Sequence, residues 1–184
     1  MKKGVIIVIA IVVIAILMII GSYNKIVGAE EKVDNKFSDI DVNLQRRADL
    51  IPNLVNTVKG FAAHETEVIN SVTDARAKLA GAGTIEEKAN ADSELTGALN
   101  RLLVVVENYP DLKASENFRQ LSDELAGTEN RIGVARRDYN DSVKDYNSLI
   151  KKMPQNIIAG IFNFEEKAYF MVKEGSEDVP NVEF

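Results

Sequence analysis

A run of apolar residues without a single charge, residues 5–20, constrains this chain more than any other feature. With the flanking Gly4 and Gly21 it would span about 27 Å as a helix, close to the hydrocarbon thickness of a bilayer, which is about 30 Å. The run is apolar on every side, whereas a surface helix of a soluble protein keeps one polar face. We therefore predict a transmembrane helix over residues 4–22, with Tyr23 at the level of the lipid headgroups.

A cleaved signal peptide is the alternative for this segment. Lys2 and Lys3 form a basic N-terminal region, and Val27-Gly28-Ala29 has the small residues of a cleavage site. The apolar run is long for a signal peptide, however, and Ala29 lies well beyond its end. We favour an uncleaved single-pass anchor. The compact basic pair before the run favours an N terminus inside the cell and a domain on the extracytoplasmic side.

Composition excludes several classes of function. The chain has 184 residues, enough for about one domain, and a formal net charge of −6. An acidic domain is a poor candidate for nucleic acid, because neutralising phosphates requires clustered Lys and Arg. Anionic headgroups would repel it weakly, so membrane attachment is expected from the anchor. The absence of cysteine excludes disulfides, thiolate metal sites and an acylated cysteine.

Beyond the anchor, apolar residues recur at steps of three and four, the period of a helix. The first helix is predicted to continue from the membrane exit without a flexible linker, to run as far as Leu79 and to stop at the Gly81-Ala82-Gly83 segment. Pro52 lies inside this pattern. We expect a kink or a restart there, with Asp49 as the N-cap of the restarted segment.

Two further long helices and one short helix follow. Thr84 and Glu87 form a capping-box pattern at the start of the second helix. The third, residues 114–149, keeps a 3.5-residue period for about five heptads, which is typical of helices packed at a small angle. Pro154 ends it or lies just past its end, and residues 156–162 are predicted as a short helix.

The predicted fold is all-α: an N-terminal transmembrane helix followed by an elongated antiparallel bundle of three to four long helices. The predicted divisions are a transmembrane anchor at residues 1–22, a helical bundle at residues 23–164 and an acidic C-terminal tail at residues 165–184.

The lone histidine gives weak signals for chemistry. His64-Glu65 superficially resembles a phospho-accepting box and the start of a zinc-protease motif, but Val68 stands where the second zinc-binding histidine must be. One histidine cannot build a three-ligand zinc site, so we predict no metal and no cofactor. We expect His64 to lie partly exposed on a helix. No serine has a neighbouring base that would nominate it as a nucleophile, and we predict no catalytic site and no small-molecule substrate.

One polar cluster is a stronger candidate for a structural or functional role than His64 is. It consists of Arg46, Arg47, Asp49, Pro52 and Asn53. Two arginines, an aspartate and a proline within two turns suggest a local network in which the arginines reach Asp49 or carbonyls freed by Pro52. The favoured interpretation is a structural lock on the kink. The alternative is a docking surface for a partner.

This cluster belongs to a longer pattern that resembles a known family. It continues as Leu54-Val55, Val58-Lys59-Gly60 and His64-Glu65. Further matches in order and spacing are Ala75-Arg76-Ala77, Glu107-Asn108-Tyr109-Pro110-Asp111-Leu112-Lys113-Ala114, Glu116-Asn117-Phe118, Leu121, Glu129-Asn130-Arg131-Ile132, Ala135-Arg136-Arg137, Tyr146-Asn147, Pro154 and Pro180-Asn181-Val182-Glu183-Phe184. The pattern resembles the LemA family of bacterial membrane proteins over essentially the whole chain.

The resemblance implies a transmembrane segment and a helical bundle domain in the bacterial plasma membrane. It implies no established enzymatic role, and some members are linked to specialised membrane organelles. Our leading hypothesis is therefore a membrane-anchored scaffold or adaptor that acts by binding another protein or by self-association, without catalysis. The alternative is a sensing or regulatory accessory subunit of a membrane complex, in which Pro52, Gly127 and Gly133 permit two packings of the bundle.

Overall fold

The computed structural model describes residues 2–172. Over that span the chain is helical with no β-strand, which confirms the all-α prediction. The helices are α1 (Lys2–Phe61), α2 (Thr66–Gly81), α3 (Ile85–Val106), α4 (Pro110–Ala114), α5 (Glu116–Lys151) and α6 (Gln155–Phe162). The acidic tail from residue 173 onward and the family-like ending at residues 180–184 lie outside the described residues.

Helix α1 is one unbroken helix from Lys2 to Phe61. The prediction that no flexible linker follows the apolar run is therefore confirmed. The expected restart at Pro52 is wrong, because the helix continues through this residue. Asp49 caps nothing and instead accepts a hydrogen bond of 2.8 Å from the Gln45 side chain within the same helix.

The N-terminal part of α1 is long and apolar enough to cross a membrane, by length and composition. Its side chains from Val5 to Ile20 are exposed in the absence of a bilayer. A soluble protein would have to cover such a surface, since exposed apolar patches of this size are rare on soluble monomers.

A break between α1 and α2 was missed by the sequence reasoning. Residues 62–65 form a turn, so the predicted continuous helix to Leu79 is wrong. The turn is closed by the Glu65 amide, which donates to the Ala62 carbonyl at 3.1 Å. His64 lies exposed in this turn rather than on a helix, which corrects that expectation as well. The apolar stripe passes through the turn, with Ala62 and Ile69 both buried, and this continuity concealed the break.

The capping box at the start of α3 is confirmed. The Thr84 hydroxyl accepts from the Glu87 amide at 3.1 Å, and the Glu87 carboxylate accepts from the Thr84 amide at 3.0 Å. These bonds to backbone amides lower the pKa of Glu87, because they favour the charged carboxylate.

Helix α5 begins at Glu116, two residues later than predicted, because residues 110–114 form the separate short helix α4. The predicted seam is present. Its fully or nearly buried members recur every seven residues at Phe118, Leu125, Ile132, Tyr139 and Tyr146. Pro154 lies just past its end, as predicted, and the short helix predicted at 156–162 is α6.

The chain divides into two compact units. Unit 1 comprises Met1–Phe37 and Asp138–Lys167, and so contains the apolar run, the C-terminal part of α5 and α6. Unit 2 comprises Ser38–Arg137 together with the described residues 168–172, and contains α2, α3 and α4. Helices α1 and α5 each contribute to both units.

In unit 1, the C-terminal part of α5 runs antiparallel to α1. Lys36 pairs with Asp138 at 3.1 Å, and Lys32 lies 3.9 Å from Asp145. Burial raises the pKa of Tyr146 to about 12, with a further contribution from the charges of Glu30 and Asp34.

An extended segment after α6 is held against this pair of helices. The Asn147 side chain donates to the Lys167 carbonyl and accepts from the Lys167 amide, both at 2.9 Å. The Lys167 ammonium lies 2.7 Å from the Glu30 carboxylate on α1. The first residues of the predicted C-terminal tail are thus fixed by specific contacts within unit 1.

Candidate functional site

Arg47 is the centre of a buried ion network in unit 2, to which α1 and α3 contribute one charged residue each and α5 contributes two. Its side chain is 4% exposed, and its guanidinium lies 2.6 Å from the Asp92 carboxylate and 2.7 Å from that of Glu129. It also donates to the Thr96 hydroxyl at 3.0 Å. Arg136 completes the group at 3.8 Å from the second oxygen of Asp92. We call these five residues the Arg47 network.

The network balances two arginines against two carboxylates. Asp92 is 2% exposed, and burial raises its pKa even though the positive charge of Arg47 opposes the shift. The negative charge of Glu129 raises the pKa of Asp92 further. Such a balanced group stabilises only when every member is paired, because the cost of removing charges from water nearly offsets their attraction.

An apolar groove lies beside the Arg47 network. It has a volume of about 220 Å³ and is lined by Arg47, Leu54, Thr96, Leu99, Asn100, Leu102, Leu103, Ser122, Leu125, Ala126 and Glu129. Five of the eleven lining residues are leucines, and they come from α1, α3 and α5. Three buried polar atoms of the lining make no hydrogen bond within the protein: Nε of Arg47, Oγ of Ser122 and Oε2 of Glu129, the last of which is an ion-pair partner of the Arg47 guanidinium at 2.7 Å. We call this the leucine groove.

The carbonyl that Pro52 frees is satisfied from another helix. A proline at position 52 cannot donate to the carbonyl of Ala48, four residues earlier. The Nε of Arg76 on α2 donates to that carbonyl at 2.8 Å. The helix therefore continues through Pro52 because α2 supplies the missing donor.

The structure does not bring the five predicted residues together as one network. Of these residues only Arg47 enters the Arg47 network, whereas Arg46 is exposed and lies 3.9 Å from Glu124. The expectation that the two arginines reach Asp49 or the freed carbonyl is wrong: Asp49 bonds Gln45 and the carbonyl bonds Arg76.

Asn53 faces a different, polar depression of unit 2. Its carbonyl accepts a hydrogen bond of 2.9 Å from the Thr57 hydroxyl. The depression has a volume of about 370 Å³ and is lined by Asn53, Asn56, Thr57, Asn117, Gln120, Leu121 and Glu124. Pro52 is exposed on the same stretch of α1.

Sequence reasoning missed Asp92, Glu129, Arg136 and Arg76. Asp92 could have been found, because it stands three residues before Leu95 on the apolar stripe of α3, where a charged residue requires a buried partner. The others carry no such local signal, since their partners lie on other helices.

The chemistry available to the Arg47 network is that of charge pairing. The guanidinium of Arg47 already binds two carboxylates and a hydroxyl, so these groups occupy it as a binder of anions. Among residues 2–172, no group of three or more His, Asp or Glu side chains is arranged to hold a metal ion.

Comparison with known proteins gives a consistent set of relatives. A family model described as the LemA family matches residues 36–184. Magnetosome protein MamQ 2 of Paramagnetospirillum magneticum is 30% identical over 181 residues, covering 84% of this chain and 66% of the relative. Magnetosome protein MamQ of Magnetospirillum gryphiswaldense is 29% identical over 181 residues with the same coverage.

Protein LemA of Metamycoplasma hominis is 29% identical over 160 residues, covering 84% of this chain and 71% of the relative. The chain thus spans about 66% of the length of the MamQ proteins that it matches.

Proposed function

Since this chain belongs to the LemA family, we propose that it is a membrane-anchored helical scaffold or adaptor that binds another protein or a second copy of itself and catalyses no reaction. Residues 1–22 serve as the anchor, residues 23–164 as the interaction domain and residues 165–184 as a C-terminal tail. The protein resides in the bacterial plasma membrane as a single-pass protein, with its domain on the extracytoplasmic side.

The leucine groove carries this proposal. Leu103 is 44% exposed at its edge, and the next residue, Val104, is 70% exposed. Apolar grooves between helices commonly receive one face of a partner's amphipathic helix. We assign the groove to such a helix, whose apolar face would pack against the leucines of the lining.

The electrostatics of the domain support a binding role over a catalytic one. The charges of the Arg47 network pair with one another and hold α1, α3 and α5 together. A catalytic acid or base would require a titratable group open to a substrate, whereas the side chain of Asp92 is 2% exposed.

The relatives point in the same direction. Three of them are named as magnetosome proteins and a fourth as LemA, and none of these names states a reaction. A role at a membrane agrees with the apolar run at the start of α1.

Site-specific photo-cross-linking in intact cells tests the proposal. A photoreactive amino acid replaces Asn100, which lines the groove on α3. We expect a discrete cross-linked product with one partner or with a second copy, and we expect Leu103→Asp to abolish it. Val42→Asp is the matched control, because Val42 is also an exposed apolar residue of unit 2 but does not line the groove.

The outcomes separate clearly. Loss of the product in Leu103→Asp but not in Val42→Asp, with both variants as stable as the parent, supports binding through the leucine groove. No product from position 100, or equal loss in both variants, contradicts it.

A regulatory accessory subunit is the second candidate, favoured by Gly133. This glycine lies inside α5, yet a Cβ added to it would meet nothing within 4 Å. Packing therefore does not require glycine there, and it weakens the helix by about 1 kcal/mol relative to alanine. A helix that must change its packing has a use for such a weak point.

Hydrogen exchange distinguishes the two candidates. A regulatory subunit should exchange faster around Gly133 than elsewhere in α5, and Gly133→Ala should slow that exchange and alter the response of its complex. Uniform protection along α5 in the parent would count against this candidate and leave the scaffold.

A further inference from the structure

Helix α6 presents apolar side chains that nothing in unit 1 covers. Its residues from Gln155 to Phe162 include no charge, and only Ile158 and Ala159 are buried. Ile157 is 52% exposed and Ile161 is 64% exposed, one turn apart on the same face. Met153, in the turn that precedes α6, is also exposed. An apolar row of this kind marks an interaction surface rather than a solvated helix.

Contacts with Tyr23 place α6 at the end of the apolar run. The ring of Tyr23 lies 4.8 Å from that of Phe162 and 5.7 Å from that of Phe164, measured between centroids. Asn163, with φ of 56°, ends α6 in the left-handed region and turns the chain so that Phe164 also meets Tyr23. Tyr23 follows the last apolar residue of the run by three positions, the level at which aromatic side chains meet lipid headgroups.

A basic residue precedes the apolar surface of α6, and two acidic residues follow it in the chain. Lys152 directly precedes Met153 and is exposed, and Glu165 and Glu166 are exposed after Phe164. An apolar surface that adjoins aromatic rings and a lysine matches the boundary between acyl chains and headgroups, where apolar atoms enter the membrane and ammonium groups remain at the phosphates.

We propose that α6 lies in the interfacial layer of the same bilayer that the anchor crosses, with Met153, Ile157, Ile161 and Phe162 inserted among the lipids. The protein then contacts the membrane at two places, the spanning helix and this second helix more than a hundred residues further along the chain. The inference rests on the membrane anchoring proposed above. Lipid is the occupant of the exposed face because this face adjoins the apolar run through Tyr23.

Depth-dependent fluorescence quenching tests this on the full chain. The chain has no cysteine, so a single cysteine at residue 161 can carry an environment-sensitive nitrobenzoxadiazole label. The protein is reconstituted in vesicles of phosphatidylethanolamine and phosphatidylglycerol with or without lipid that bears a nitroxide near the carbonyl end of its acyl chains. We expect Ile161→Cys to show blue-shifted emission and strong quenching by the nitroxide lipid.

Two control positions make the result decisive. Val134→Cys places the label at an apolar residue of similar exposure in unit 2, and we expect water-like emission and several-fold weaker quenching there. Ile14→Cys places it in the middle of the apolar run, where lipid with its nitroxide near the methyl end of the acyl chains must quench it if the anchor is inserted.

Each alternative outcome overturns the proposal in a recognisable way. If the label at 14 is quenched and the label at 161 shows water-like emission, the anchor is inserted and α6 stays in water. A label at 161 that is blue-shifted but not quenched means that protein covers α6, as in self-association. An unquenched label at 14 overturns the anchoring itself, and α6 insertion with it.

Discussion

At the scale of single residues, adjacent arginines on α1 have opposite environments. Arg47 is buried between two carboxylates, whereas Arg46 is exposed 3.9 Å from Glu124. Arg47→Ala should lower the free energy of unfolding by about 3–5 kcal/mol, because it leaves the buried Asp92 with only the more distant Arg136. Arg46→Ala should cost at most about 1 kcal/mol, since exposed pairs contribute little. Urea unfolding of the detergent-solubilised chain, followed by far-ultraviolet circular dichroism, measures both.

Equal effects of the two substitutions would contradict the buried role of Arg47. A further check is the pair of variants Arg47→Met and Asp92→Leu. Combined, they should cost less than the sum of the single changes, because each alone strands the other charge.

Asp92 also sets a dependence of stability on pH. Burial holds its pKa in the folded protein above the ordinary value of about 3.9 that it has in the unfolded chain. The folded state therefore binds the proton more tightly. The stability that this group contributes is fully present below about pH 4 and is lost as pH rises through the raised pKa.

Asp92→Asn removes this titration. The unfolding free energy of the parent minus that of Asp92→Asn should therefore fall as pH rises through the acidic range and then level off. Denaturant unfolding of both proteins across that range measures the difference, and a difference that rises with pH would show that pairing with Arg47 outweighs burial.

The hydrogen-bond and ion-pair partners of a residue could be predicted from sequence only when they lie close to it in the chain. The Thr84 and Glu87 capping box was predictable, because both groups lie within one turn of chain. Arg47 was singled out by sequence, but its partners Asp92 and Glu129 lie on other helices and nothing near Arg47 in the sequence reports them.

At the scale of helices, α1 passes through Pro52 because Arg76 replaces the missing donor to the Ala48 carbonyl. In the parent, Arg76→Met leaves a carbonyl of a buried residue unsatisfied and should cost about 1–3 kcal/mol. In a Pro52→Ala background the restored amide of residue 52 serves the same carbonyl. The same Arg76→Met change should then cost clearly less.

A double-mutant cycle of Pro52→Ala and Arg76→Met, measured by urea unfolding, gives this coupling directly. Arg101→Met, at an exposed arginine on α3, is a suitable control and should show no coupling to Pro52. An unchanged cost of Arg76→Met in both backgrounds would mean that the arginine acts elsewhere.

Helix boundaries were predictable where a proline or a capping residue ends the helix. They were missed where contacts with distant residues end it. Pro154 marked the end of α5 within a few residues. The turn at residues 62–65 contains no proline. It is contacted by a residue distant in sequence, since the Tyr109 hydroxyl donates to the Glu65 carboxylate at 2.8 Å. The expectation of a break at Pro52 failed for the same reason, since Arg76 lies on α2.

At the scale of the whole molecule, the side of the membrane on which the domain lies is a prediction from Lys2 and Lys3. Ala63→Cys places one thiol in the exposed turn between α1 and α2 of a chain without cysteine. A membrane-impermeant maleimide should label it in intact cells. Labelling only after lysis would place the domain in the cytoplasm, and a cysteine at Asp74, exposed on α2, should behave in the same way.

Unit 1 is made from the two ends of a long stretch of chain: Lys36 and Asp138, which pair at 3.1 Å, are 102 residues apart. At a synthesis rate of about 5–20 residues per second, Asp138 leaves the ribosome about 5–20 seconds after Lys36. During that interval Ile26 and Val33 of α1 lack the helix that will cover them. The newly made chain therefore exposes this apolar face of α1 to its surroundings until the C-terminal part of α5 has been synthesised.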